Sequence, residues 1–253
     1  MTKFKEWCDE TEESISTHQL ILLVANPAND AHAIQVVAKA VPEYYVAPGR
    51  IADILRKLDK EAAAKFVEQK LPTTPSIKSG DLGEILCNAY VIEGTTFTLG
   101  IKRLRWKDHR NMSMRGEDVL AFSLGPKVGS LKILKAEVKS GATMQTSVIE
   151  KARDALSGNK ELPSPHAISF VADRLNEAGD VALCDALDKA QLKDGLRVTQ
   201  VTHMLFTFSG NNPSNLLKKN LSAYTGAVRQ KYVALQVKTH QAFIKAVFDA
   251  VCK

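Results

Sequence analysis

The stretch LKILKAEVKS, residues 131–140, is written for a buried strand, yet it carries a carboxylate, Glu137, and an ammonium, Lys139, near its end. Alternate side chains of a strand project to the same face, so these two stand side by side. Neither suits an apolar setting unless it is paired or serves a ligand. A second acidic position has the same habit. RGEDVLAFS, 115–123, sets Glu117 and Asp118 at the mouth of another short apolar strand. On a strand beginning near Glu117, Asp118, Leu120 and Phe122 share one face and Glu117, Val119 and Ala121 the other. The intervening SLGPKVGS, with its Gly and Pro, reads as a turn, so the two strands are expected to pair as a hairpin and bring Asp118 close to Glu137.

Two carboxylates held together repel unless one is protonated or a cation lies between them. Mg²⁺ accepts one or two carboxylates, keeps several waters and leaves a place for a phosphate oxygen; Mn²⁺ takes the same oxygen ligands. A neighbouring ammonium then orients a metal-bound water or stabilises charge growing on phosphorus. Asp118, Glu137 and Lys139 together suit metal-dependent hydrolysis of a phosphodiester. A Glu-x-Lys pair alone is commonly a solvent-facing ion pair of small worth. The apolar residues on both sides, the acid at the start of the partner strand and Glu84 on the preceding helix set this one apart.

The elements that must position these residues follow from periodicity. SGDLGEILCNAYV, 79–91, has a helical stripe of Leu82, Ile85, Leu86 and Ala89, with Ser79 or Asp81 near its start. TTFTLGIKRLRW reads as β-rich, and the strands around Val119 and Ile133 follow. MQTSVIEKARDAL, SPHAISFVADRLNEAG and VALCDALDKAQL read as helices, and LRVTQVTHMLFTFSG as a late strand. Upstream, HQLILLVA is a short strand, NDAHAIQVVAKAV a helix capped by Asn29 or Asp30, and RIADILRKLDKEAAAKFVEQKL one or two helices, before a break in PTTPSIKSG, 72–80. The expected fold is α/β, divided into an N-terminal α/β extension (1–75), a core (76–210) and a basic, mostly helical C-terminal region (211–253).

Composition bounds the rest. The chain has 253 residues, 45% of them apolar and 25% charged, as in a soluble globular protein. No apolar run approaches the roughly 18 residues of a membrane span, and the acidic start MTKFKEWCDETEES does not read as a signal peptide. A cytoplasmic protein is expected. Cys8, Cys87, Cys184 and Cys252 are scattered, so neither a disulfide framework nor a structural zinc site is expected. The net charge of +6 is concentrated beyond residue 210, where seven Lys and Arg face one Asp. A second cluster, Lys102, Arg103, Arg105, Lys107 and Arg110, suits a polyanion through backbone contacts, which confer little sequence choice. Trp106, in its midst, is expected in the core rather than stacked on a base.

Asp118, then 18 residues, then Glu137-Val138-Lys139 resembles the signature of the PD-(D/E)XK nuclease superfamily, and Glu84 in GDLGEIL matches the glutamate of that fold's first core helix. The resemblance implies a core of helix, three-stranded mixed sheet, helix and strand. It implies Mg²⁺ held by Asp118, Glu137 and the Val138 carbonyl, with Glu84 as auxiliary ligand or base, Lys139 serving the attacking water, and Gln145 touching DNA or ordering the site. Ser140 reads as a strand terminator. The residue before Asp118 is Glu117 rather than proline, which leaves two acids as candidates; the resemblance favours Asp118, because in the family's pattern the acid directly precedes the apolar strand.

SGDLGEILCNAYV, KRLRWKDHRNMSMRGEDVLAF and LKILKAEVKSGATMQTSVIEKARDAL together resemble the HamA family of Hachiman anti-phage defence systems. That resemblance implies a bacterial DNA nuclease of little sequence specificity, the effector of a complex with a helicase partner, HamB, held quiet until infection or DNA damage. The alternatives are a catalytically inactive, nuclease-like subunit that binds DNA or the helicase, and an RNase.

Overall fold

A computed structural model describes residues 2–125 and 131–251 of the chain. One mixed sheet of seven strands organises them, in the order β1-β2-β7-β6-β5-β4-β3. An antiparallel hairpin, β1 (Cys8–Ile15) and β2 (His18–Ala25), begins it. Short helices α1 (Asp30–Ala40), α2 (Pro42–Tyr45), α3 (Pro48–Lys57) and α4 (Lys60–Lys70) follow, then the long α5 (Pro75–Gly94). Next come β3 (Thr98–Leu99), β4 (Val119–Leu124), β5 (Leu131–Gly141), and helices α6 (Thr146–Ser157), α7 (Pro165–Ala178) and α8 (Val181–Lys189). The chain closes with β6 (Val201–Ser209), α9 (Ser214–Ser222), β7 (Arg229–Gln236) and α10 (His240–Val251).

The α/β class is as expected, but the sheet has seven strands where three were expected at its core. β7, read as part of a helical tail, inserts between β2 and β6 and runs parallel to both. Residues 1–75, 76–210 and 211–253 all contribute strands to this one sheet. The stretch TTFTLGIKRLRW forms only the two-residue β3 and, at Arg103–Trp106, a 3₁₀ turn. The break at 72–80 is shorter than its composition suggests, because Pro75 occupies the first turn of α5, where its missing N–H costs nothing. β4 and β5 pair antiparallel, as read; most of the turn between them lies outside the described residues.

Both faces of the sheet are covered, which is why its parallel strands are nearly continuous apolar runs. On one face Leu134, Ala136, Val138, Phe206 and Phe208 pack against α1, α5 and α10. On the other, Leu120, Phe122 and Ile133 meet α7 and α8, while Leu205 and Tyr232 meet α6 and α9. Lys135 sits on this second face, 3% exposed. Its ammonium donates to the carbonyls of Leu156, Gly158 and Leu162 at 2.9, 3.3 and 3.1 Å, matching three donors to three acceptors where α6 ends. Among the described residues no helix is long and apolar enough to cross a membrane. Cys8, Cys87 and Cys184 are free; Cys252 lies outside the described residues.

Candidate active site

The β4–β5 register pairs Val119 with Ala136, so Asp118, one residue before β4, stands across from Glu137. Asp118 uses both carboxylate oxygens. Oδ2 accepts from the Val138 N–H at 2.7 Å, and Oδ1 accepts from Arg103 Nη2 at 2.8 Å. The same guanidinium grips Glu84, through Nε to Oε1 at 2.9 Å and Nη2 to Oε2 at 2.8 Å. Glu137 pairs with Lys139 beside it on β5. Glu117, the competing acid, points elsewhere: it accepts from the backbone N–H and hydroxyl of Ser164, the residue that caps α7.

Glu84 reaches the strand ends because α5 lies close on β5. Gly83 makes this possible: a Cβ there would come within 3.1 Å of Ser140 Cβ and 3.2 Å of Val138 Cγ1. Ser140 is more than a terminator. Its hydroxyl meets that of Ser79 on α5 at 2.8 Å and His240 Nε2 on α10 at 3.1 Å, tying the motif strand to two helices.

The electrostatics fit this crowding. Burial pushes the Glu84 carboxyl up to about 7, with Arg103 pulling it back and Asp118 and Asp81 adding to the rise. Burial likewise raises Glu137, and the charge on Asp118 raises it further against the pull of Lys139 and Arg103. Burial works against the charge on Arg103, but Glu84, Asp118 and Glu137 outweigh it and hold the guanidinium firmly protonated. Two carboxylates thus grip one arginine, and a third, Glu137, adds its field.

A model of the HamA family matches residues 2–251. The chain belongs to the HamA family. The Hachiman protein HamA of Bacillus cereus is 25% identical over 252 residues, which cover 97% of this chain and 89% of that one. The match takes in β1 and β2 at one end and β7 and α10 at the other, so in this HamA-family chain the flanks of the motif region belong to the family as much as the motifs do.

The basic cluster expected to bind nucleic acid is largely spent inside the protein. Lys102 pairs with Glu43 at 2.8 Å and lies over the Tyr44 ring. Arg105 donates twice to the Glu43 carbonyl, and Lys107 binds both oxygens of Asp81, which also accepts from the Tyr45 hydroxyl. Arg103 belongs to the acid cluster itself. Of the five, Arg110 alone makes no ion pair or hydrogen bond among the described residues. Gln145 is exposed at the residue before α6. Trp106 is half-buried rather than core.

Among the described residues no three His, Cys, Asp or Glu side chains are disposed to hold a metal ion. The Arg103 guanidinium pairs with both Glu84 and Asp118 and balances their charge. The donors themselves are carboxylate oxygens, the ligands that a hard divalent ion takes. In type, these donors suit Mg²⁺ or Mn²⁺. Val138 meets Asp118 through its N–H.

Proposed function

We propose that this HamA-family protein is a metal-dependent nuclease, using Mg²⁺ or Mn²⁺ to hydrolyse phosphodiester bonds of DNA with little sequence choice. One observation carries this reading: Asp118, just before β4, stands across from Glu137 on β5, with Lys139 paired to Glu137 and Glu84 delivered beside them by α5. The order α5, β3, β4, β5, α6 and, later, β6 supports a PD-(D/E)XK-like core within the larger sheet. Asp118 and Glu137 would hold the ion, aided by the Val138 carbonyl and by Glu84. The ion would supply Lewis acidity at phosphorus and a water acidified toward hydroxide.

The remaining work falls to the chain's own groups. Lys139, anchored by Glu137, presents an ammonium that orients the attacking water and offsets charge developing on the phosphate oxygens. Arg103 balances the acids while no cation is present, which keeps them together at the cost of closing their site. The family's place in Hachiman defence supports an effector acting within a complex, with a helicase as the other subunit. The Arg103 contacts favour one second reading, a subunit whose acids are structural and which binds DNA or the helicase without cutting.

Plasmid nicking decides between the two. The purified chain, alone and with its partner, is expected to nick DNA with Mg²⁺ and to stop with EDTA or with Glu137→Ala plus Lys139→Ala. Cleavage that survives the double substitution overturns the assigned site. Absence of cutting under every activating condition supports the binding subunit.

A further inference from the structure

Arg103, Met114 and Asp118 form a wall shared by two cavities. One, of about 120 Å³, holds Glu84. The other, of about 190 Å³, differs in character: Trp106, Phe170, Ile101 and Val171 line it. Trp106 and Phe170 stand edge to face, ring centres 6.2 Å apart at 86°. An open cleft with aromatic walls and a few polar groups beside the acid cluster has the form that ligand sites commonly take.

Size, chemistry and position narrow that guest. The cavity falls below the roughly 300 Å³ of sites for drug-sized ligands, so it suits a single flat ring system. Its walls offer aromatic and aliphatic faces, while His166 and the carboxylates Asp108, Glu117 and Asp118 on its border can take the N–H groups of a ring edge, and Arg115 can take a flanking phosphate. A nucleobase has this description. Bases inside a duplex are stacked on both faces and cannot enter such a cleft, whereas unpaired bases stack on aromatic side chains.

We infer that the cleft lined by Trp106 and Phe170 receives one unstacked base of a strand whose phosphate meets Arg115, so that single-stranded or frayed DNA is the preferred substrate. The inference rests on the nuclease reading for the placement of the strand, but base stacking itself requires no catalysis and is measured without it.

The test uses the full chain in EDTA and an oligonucleotide carrying 2-aminopurine, whose fluorescence falls on stacking. Single strands are expected to bind and be quenched, and the matching duplex to bind more weakly. Trp106→Ala is expected to weaken single-strand binding by roughly 5- to 150-fold, the range for losing one stacked base, while Trp106→Phe retains most of it. Phe170→Leu provides a second probe of the same cleft, and an unchanged unfolding temperature identifies variants that remain folded. With a series of abasic oligonucleotides, removal of the bound base should abolish the Trp106 dependence. Binding that ignores Trp106, Phe170 and the base, or no single-strand binding at all, overturns the inference. A free mononucleotide that binds as tightly as the oligonucleotide assigns the cleft to a small ligand and overturns it too. Trp106-dependent binding without cleavage under any condition keeps the base site and removes the nuclease reading; cleavage with binding indifferent to Trp106 does the reverse.

Discussion

Arg103 and Glu84 form a two-pronged pair, two N–H groups on two carboxylate oxygens at 2.8 and 2.9 Å, with side chains only 12% and 7% exposed. Desolvating both charges is expensive, and removing one partner of such a pair costs about 3–5 kcal/mol because the other is left buried alone. Arg103 also holds Asp118, so its loss leaves two acids facing each other.

Arg103→Ala is therefore expected to lower the unfolding temperature in metal-free buffer. A divalent ion replaces the missing charge, and anything that binds the folded state stabilises it by mass action. Mg²⁺ or Mn²⁺ should raise the melting temperature of the variant more than that of the unaltered protein. Equal shifts in a thermal scan would show that the guanidinium and the ion do not compete for one place.

Gly83 sets the distance between α5 and β5. Gly83→Ala gains about 1 kcal/mol of helix propensity but drives a methyl into Val138 and Ser140, an overpacking cost of about 1–3 kcal/mol. A net loss on the order of 1 kcal/mol is expected in urea unfolding. Because the helix must shift, Glu84 leaves its place, and cleavage should fall further than the folded fraction does. Activity that merely tracks stability would argue that Glu84 contributes nothing at the site.

His203 supplies a pH dependence remote from the acids. Fully buried on β6, its Nε2–H donates to the Glu161 carbonyl at 2.8 Å, and burial pushes its pKa down to about 4. A folded-state value below the unfolded one, about 6.5, means the contribution is whole above pH 6.5 and is lost as the pH falls toward 4. Across that window the loss is roughly 3 kcal/mol. His240, also pushed down to about 4 by burial, adds to the same slope. Urea midpoints between pH 7.5 and 4 should fall less steeply in His203→Gln, while His240 preserves part of the decline. An unaltered slope would place the acid sensitivity elsewhere.

The strands that carry the acids were legible because their patterns are local. β5 alternates across two buried faces, and Asp118 stands one residue from an apolar run, so the pairing of β4 with β5 follows from composition alone. β1 gave no such signal. Its residues CDETEESI are exposed along nearly the whole strand, and the hairpin with β2, not a buried face, makes them extended; their acids also discourage further pairing at the sheet edge. β7 is a short run, KYVALQ, set among basic residues, and only its two parallel neighbours reveal it as a central strand. Arg103 was legible as a basic residue but not as a partner of Glu84 and Asp118, which lie 19 and 15 positions away with no periodic relation to it. Its role belongs to tertiary structure. The same holds for Trp106, whose aromatic bulk suggests a core residue until the cleft beside it is seen.

The insertion of β7 between β2 and β6 bears on how the molecule is made. During synthesis both neighbours emerge from the ribosome before the strand that must join them, so each waits with a bare hydrogen-bonding edge. A product truncated ahead of Arg229 can never fill that gap. Quality control by chaperones and proteases would thus meet any prematurely ended copy as an open, sticky sheet, and only the finished polypeptide would escape with that gap closed.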